Sequence, residues 1–250
     1  MKKIFLLLAA VFVLGCSEAS RDAAPDPTGD GKGGSMATFI LKNNYLYTVD
    51  QSNLNVFSIS DETNPVKVNS INAGFNIETL FSMDDYLFIG SRNGMFIYSI
   101  AQNPEVPVFV SQAQHFTACD PVVANSTHAF VTLHTNAVCN PNLSINKLMV
   151  YSISDISSPQ LITSRDLQEP KGIALYENYL FLCDKNDILV FDITNPQYMI
   201  LKKTIANVPA VDIIIDGNHM LAFTAGSVYQ FDIDPGNIQN ITQVSQYGLN

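Results

Sequence analysis

From residue 36 onward the apolar positions come in short runs, rich in β-branched and aromatic side chains and broken by Asn, Asp, Gly or Pro. Runs of four to eight such residues predict β-strands, and no segment carries the spacing of a helical stripe. The runs recur in a fixed order. NYLYTVD (44–50), DYLFIGS (85–91), THAFVTL (127–133), NYLFLCD (178–184) and NHMLAFT (218–224) share one shape. Their leading rings, Tyr45, Tyr86, His128, Tyr179 and His219, stand 41, 42, 51 and 40 residues apart. A second motif follows each: LNVFSIS from Leu54, MFIYSIA from Met95, LMVYSIS from Leu148, ILVFDIT from Ile188 and SVYQFDI from Ser227. Four of the five lead into a proline-bearing turn, at Asn64-Pro65, Asn103-Pro104, Ser158-Pro159 and Asn195-Pro196.

Each unit therefore reads as four short antiparallel strands. In the fourth these are GIALYE, YLFLCD, ILVFDI and MILKKTI. A four-strand unit repeated about every 41 residues predicts an all-β fold, a β-propeller with one blade per unit. The five blades are expected over 36–75, 76–117, 118–169, 170–208 and 209–250. A two-sheet sandwich does not predict the same four-strand order five times. Blade 1 begins with its own inner strand, Ala37 to Ile40, and blade 5 ends with its own outer strand near Ile241 to Ser245. Closure is thus expected from apolar packing between blades, because an open sheet would expose edges and apolar faces. The alternative is an incomplete ring completed by a partner, which would self-associate.

The strand Leu189-Val190-Phe191-Asp192-Ile193 resembles the signature of the LVIVD-repeat family, and the resemblance covers residues 36 to 250. The strings GGSMATF, YLYTVD, LFIGSRNGM and CDPVV are similar to a subgroup of lipoproteins from the Bacteroidetes. The resemblance implies the propeller but little about activity, since a propeller hosts many unrelated functions. The chain has no Trp, which excludes a strict WD repeat and the sialidase Asp-box.

The first residues are of another kind. Lys2 and Lys3 precede a 12-residue apolar stretch, Ile4 to Gly15, too short to cross a bilayer, and residues 1–15 read as an export signal. Val13-Leu14-Gly15-Cys16 resembles a lipobox, which implies cleavage before Cys16, acylation of that cysteine and anchoring in one leaflet. Ser17, which is not Asp, implies sorting to the outer membrane, with periplasmic or surface display left open. Residues 16–35, dominated by Pro, Gly, Ser and Asp, predict a flexible tether. Their glycines lack the spacing of a phosphate-binding loop.

Charge narrows the partners. Thirteen basic residues against 23 acidic give a formal charge of −10, and loss of Lys2 and Lys3 takes the mature chain to −12. Nucleic acid, which requires a basic stripe, is excluded.

The third unit is about ten residues longer than the others. Its extra segment, between Leu133 and Leu148, carries Cys139, while Cys119 precedes that unit's innermost strand. In a propeller these segments share one face, so a Cys119–Cys139 disulfide is expected in an exported protein. A metal site with His115 or His134 is the rival, but two cysteines without C-x-x-C spacing are poor zinc ligands, and no metal or cofactor is expected. Cys183 reads as a buried apolar thiol.

The same face should gather Glu78, Arg92, Asp120, His134, Lys171, Asp184 and Asp212, each at the start of an inner strand or in a loop from a second strand to a third. Phe75, His115 and Phe116 would add an aromatic patch suited to glycan stacking or to plugging the blades. No catalytic motif is present. The expected function is a lipid-anchored binding or scaffolding module of the cell envelope, presenting this rim to a protein or glycan. The alternative is a glycan-cleaving propeller using paired carboxylates at the channel mouth.

Overall fold

The computed structural model describes residues 33–114, 121–135 and 144–249. Twenty strands form five sheets. Blade 1 contains β1 (Phe39–Lys42), β2 (Tyr45–Val49), β3 (Asn53–Ser58) and β4 (Val66–Asn72). Blade 2 contains β5 (Ile77–Met83), β6 (Tyr86–Ser91), β7 (Gly94–Ser99) and β8 (Val108–Gln114). Blade 3 contains β9 (Val122–Ala124), β10 (His128–His134), β11 (Asn146–Ser152) and β12 (Gln160–Asp166). Blade 4 contains β13 (Pro170–Tyr176), β14 (Tyr179–Asp184), β15 (Asp187–Asp192) and β16 (Ile200–Ile205). Blade 5 contains β17 (Asp212–Asp216), β18 (His219–Phe223), β19 (Ser227–Ile233) and β20 (Ile241–Gly248).

Every sheet is antiparallel and runs in chain order, so no strand is exchanged between blades. The first strands lie innermost, and residues from all five line one central cavity of about 450 Å³. The chain is a five-bladed β-propeller, as its repeats predict.

Local chemistry explains the units. The β1–β2 turn uses Asn43 and Asn44 at φ of 52° and 61°. Asn tolerates that left-handed region, and two such residues give the turn whose twist matches a hairpin. Each blade also carries a bulge between its third and fourth strands, after Val56, Ile97, Val150, Val190 and Gln230. The extra residue raises the local twist where the sheet fans outward. Residue patterning gives no hint of it.

Side chains alternate between the two faces of a sheet, one towards the next blade and one towards the previous. Position by position the repeat assigns them. The third residue of the second strand is Tyr47, Phe88, Phe130 or Phe181 in blades 1 to 4, always fully buried and always against the next blade. Paired with it are Val56, Ile97, Val150 and Val190, on the same face. The opposing faces supply Leu87 and Ile89, Ala129 and Val131, Leu180 and Leu182, and Met220 and Ala222, all fully buried. These sets form four apolar cores, joining blades 1 and 2, 2 and 3, 3 and 4, and 4 and 5.

The fifth junction is built differently, which corrects the expectation that apolar packing closes the whole ring. Among the described residues no buried apolar cluster joins blades 5 and 1. Instead the segment before β1 reaches across the channel. Ser35, 1% exposed, donates from Oγ to Asp212 Oδ1 at 3.1 Å and accepts from the Ile173 amide at 2.8 Å. The Met36 amide also meets Asp212, at 3.3 Å. Gly34 and Ser35, read above as the end of a tether, are therefore part of the packed structure: both are buried, and a bare glycine backbone and a hydroxyl fit against Asp212.

Candidate functional site

The entrance face of the channel is formed by the starts of the inner strands and by the loops from each second strand to the third. Glu78 is the second residue of β5, and Arg92 sits in the β6–β7 turn. They form an ion pair, Nε to Oε1, at 2.8 Å, with both side chains partly exposed. Lys171, in β13, pairs with Glu169 at 3.1 Å, and its carbonyl accepts from the Thr132 hydroxyl at 2.6 Å. His134 closes β10 and is buried. Loss of solvent and the nearby Lys171 charge hold its imidazole below the usual histidine pKa, while Glu78 and Glu169 act in the opposite direction. The structure thus brings Glu78, His134 and Lys171 into one electrostatic group across blades 2, 3 and 4.

Asp184 and Asp212 serve the fold. Asp184, at the end of β14, is buried and accepts from the Gln168 amide at 3.0 Å and the Glu169 amide at 2.6 Å, which fixes the loop into blade 4. Asp212 receives the Ser35 hydroxyl and the Met36 amide. Burial raises its carboxyl pKa, and hydrogen bonds from Ile213, Met36 and Ser35 offset part of that rise. Two glycines make its pocket: a Cβ on Gly34 would lie 2.0 Å from Asp212 Oδ2, and one on Gly172 would lie 2.3 Å from Oδ1 and 2.6 Å from the Asp212 Cα. No side chain fits at either position.

Phe75 is 70% exposed in the connection from β4 to β5, so it stands out from the entrance face and does not plug a blade. Cys183 is a free, buried thiol, pushed up by burial. Cys16, His115, Phe116, Cys119, Asp120 and Cys139 lie outside the described residues, as does most of the blade 3 insertion. Sequence reasoning missed Ser35, Gly34 and Gly172. The string GGSMATF held the first two, but a Gly-rich stretch beside a polar tether looks like more tether. Among the described residues no group of three His, Cys, Asp or Glu side chains is placed to hold a metal ion.

Each carboxylate of the predicted set among the described residues is held by a protein group: Glu78 by Arg92, Asp184 by two amides, and Asp212 by Ser35 and Met36.

The family described as LVIVD repeat matches at residues 33–73 and 169–206, covering blade 1 with its Gly33–Ser35 segment and nearly all of blade 4. The chain carries LVIVD repeats. No curated protein matches it. Among solved structures it is similar to a protein from Lactobacillus plantarum, with 10% identity and a TM-score of 0.67 over 82% of this chain and 70% of that one. It is similar to the periplasmic gluconolactonase PpgL of Pseudomonas aeruginosa, with 12% identity and a TM-score of 0.60 over 83% of this chain and 70% of that one. BamB from Moraxella catarrhalis aligns with 7% identity and a TM-score of 0.50, over 77% of this chain and 54% of that one. At such identities the likeness is one of fold.

Proposed function

We propose that this protein is a binding module of the cell envelope, held by a lipid on Cys16 in the outer membrane, that presents the entrance face of its propeller to a protein or glycan partner. The observation that carries the reading is the engagement of Glu78, Asp184 and Asp212 by protein groups, together with an aromatic ring, Phe75, that is 70% exposed. A two-carboxylate glycoside hydrolase, the enzyme alternative, needs one carboxylate available to a nucleophilic or general-base role and another protonated beside the leaving group. A docking face needs fixed charges and exposed aromatic surface.

The two faces offer their own control. Tyr198, equally exposed at 70%, lies in the loop from third to fourth strand of blade 4, at the opposite end of the channel. A photo-crosslinking phenylalanine analogue placed at position 75 should give a discrete envelope adduct in intact cells, and the same analogue at position 198 should not. Equal adducts at both positions, or at neither, would refute the entrance face as the docking face. Cys16→Ser should remove metabolic acyl labelling and leave the chain unprocessed or out of the membrane fraction. A mature N-terminus other than acylated Cys16 would refute the anchor.

A further inference from the structure

The first strand of each blade has a sheet neighbour on one side only, so its other edge faces the channel. Along such a strand the backbone groups of every second residue turn away from the neighbouring strand. Two amides show the direction. That of Leu80 leaves its own sheet to meet the Ala37 carbonyl at 2.7 Å, and that of Ile173 meets Ser35 Oγ. Two residues further along these strands stand Ser82 and Leu175, and the matching positions in blades 3 and 5 are Ala124 and Ile215. All four line the central cavity. Each therefore turns one N–H and one C=O towards it.

The side-chain walls between these backbone groups are apolar. Phe81, Leu175 and Ile215 line the cavity and are only half-buried. Blades 2 and 3 carry Ser82 and Ala124 where blades 4 and 5 carry Leu175 and Ile215, and these smaller side chains leave room on one side. One end of the space is shut, because Gly34 and Ser35 are buried across it, held by Asp212 and the Ile173 amide. The other end opens where the first strands finish, beside Lys42, Ser82 and Asp84. Close packing leaves few voids larger than a water molecule in a native interior, so a space of about 450 Å³ is a feature of this fold that needs an occupant. It falls within the range of about 300–1,000 Å³ that holds a drug-sized molecule.

We infer that this blind cavity is a binding site for one small molecule with an apolar body and a polar head of no net charge. The body lies against Phe81, Leu175 and Ile215, and the head faces the mouth. The head is identified by what it meets. N–H and C=O groups come in equal number along the wall, and the mouth adds one base, one acid and one hydroxyl. A hydroxyl or an amide both donates and accepts, whereas a carboxylate only accepts and an ammonium only donates. A charged head would therefore leave part of the desolvated wall without partners. The mouth is at the opposite end of the channel from the entrance face, and the inference stands apart from the docking partner and the anchor proposed above.

The test uses the full chain in detergent, with isotope-labelled alanine methyl groups observed by nuclear magnetic resonance. The probes are naphthylmethanol, naphthoate and naphthylmethylammonium, which share one body and differ in the head. Naphthylmethanol should shift the methyl signals of Ala124 and Ala174, which line the cavity, to saturation, and leave those of Ala101 and Ala222 in place. The two charged probes should need about tenfold higher concentration for the same shift. Ser82→Phe, which fills the space without removing a core side chain, should abolish the response, and so should Ile215→Asp, each with unaltered β-sheet circular dichroism. No saturable shift at Ala124 and Ala174 would overturn the inference. So would equal shifts at Ala101 and Ala222, an unchanged response in both folded variants, or a charged probe that binds as tightly as the alcohol.

Discussion

Phe181 and Leu221 hold the same place in consecutive repeats, and the energetic difference between them follows from what each one touches. Phe181 is fully buried in the core between blades 4 and 5, edge-on to Tyr176 with ring centroids 6.4 Å apart. Phe181→Ala removes that ring from a packed core and leaves a cavity, which costs about 3–5 kcal/mol. For a chain of this size each kcal/mol lowers Tm by about 2–4 °C, so the midpoint should fall on the order of 10 °C. Leu221→Ala deletes a half-buried side chain that no neighbouring blade packs against, and should cost about 1 kcal/mol. Urea denaturation followed by circular dichroism measures both. Equal losses for the two variants would refute the reading, since they would mean that Leu221 lies in a core as complete as that of Phe181.

Three further outcomes test the ring and its surroundings. Gly172→Ala should destabilise by about 1–3 kcal/mol through overpacking against Asp212, whereas Gly226→Ala, with nothing within 4 Å of its added Cβ, should be close to neutral in the same melts. Asp212 has a folded pKa above its ordinary 3.8, so the stability it contributes is present below that value and is lost as pH rises through the folded pKa. Asp212→Asn should therefore flatten the pH dependence across that window without loss at neutral pH, and a loss of stability at neutral pH that exceeds any loss under acid would contradict the assignment. Thiol labelling of the mature chain, unfolded but unreduced, should find Cys183 alone, because Cys16 is expected to be acylated and Cys119 bonded to Cys139; labelling of both Cys119 and Cys139 would remove the disulfide.

The blades were legible because each residue class repeats with its role. Tyr47, Phe88, Phe130 and Phe181 recur at one place since each must fill the same gap between sheets, and the run of β-branched residues beside them can only be strand. What the repeat hides is any feature set by backbone geometry or by distant contact. The five bulges leave no mark in the sequence, because the residue at each bulge is ordinary. The meeting of Ser35 with Asp212 spans 177 residues, and nothing local marks either residue as a partner. The candidate rim was legible in its placement but not in its chemistry. Glu78, His134 and Lys171 do gather as the topology requires, but only coordinates show that Arg92 holds Glu78 and that Asp184 is given over to backbone amides.

A repeat array also serves as its own control, because positions alike in all five copies answer to the fold and departures answer to something else. Eight residues before the leading rings stand Ala37, Glu78, Asp120, Lys171 and Val211, a position that the repeat assigns to the channel entrance. They are charged in blades 2, 3 and 4 and uncharged in blades 1 and 5, where Gly33 to Ser35 cross to Asp212. The entrance is thus divided into a charged arc and an arc covered by the chain itself. The charged arc is centred on blade 3, the unit whose second-to-third-strand loop is about ten residues longer than the rest. Uncompensated charge at a strand end costs desolvation unless it is paired or wetted, and the pairs with Arg92 and Glu169 keep Glu78 and Lys171 fixed at the surface. Fixed charges of both signs on one half of a rim, next to an exposed Phe75, give a surface with a direction. A partner docking there would meet blades 2 to 4, on the side of the ring away from the junction between blades 5 and 1.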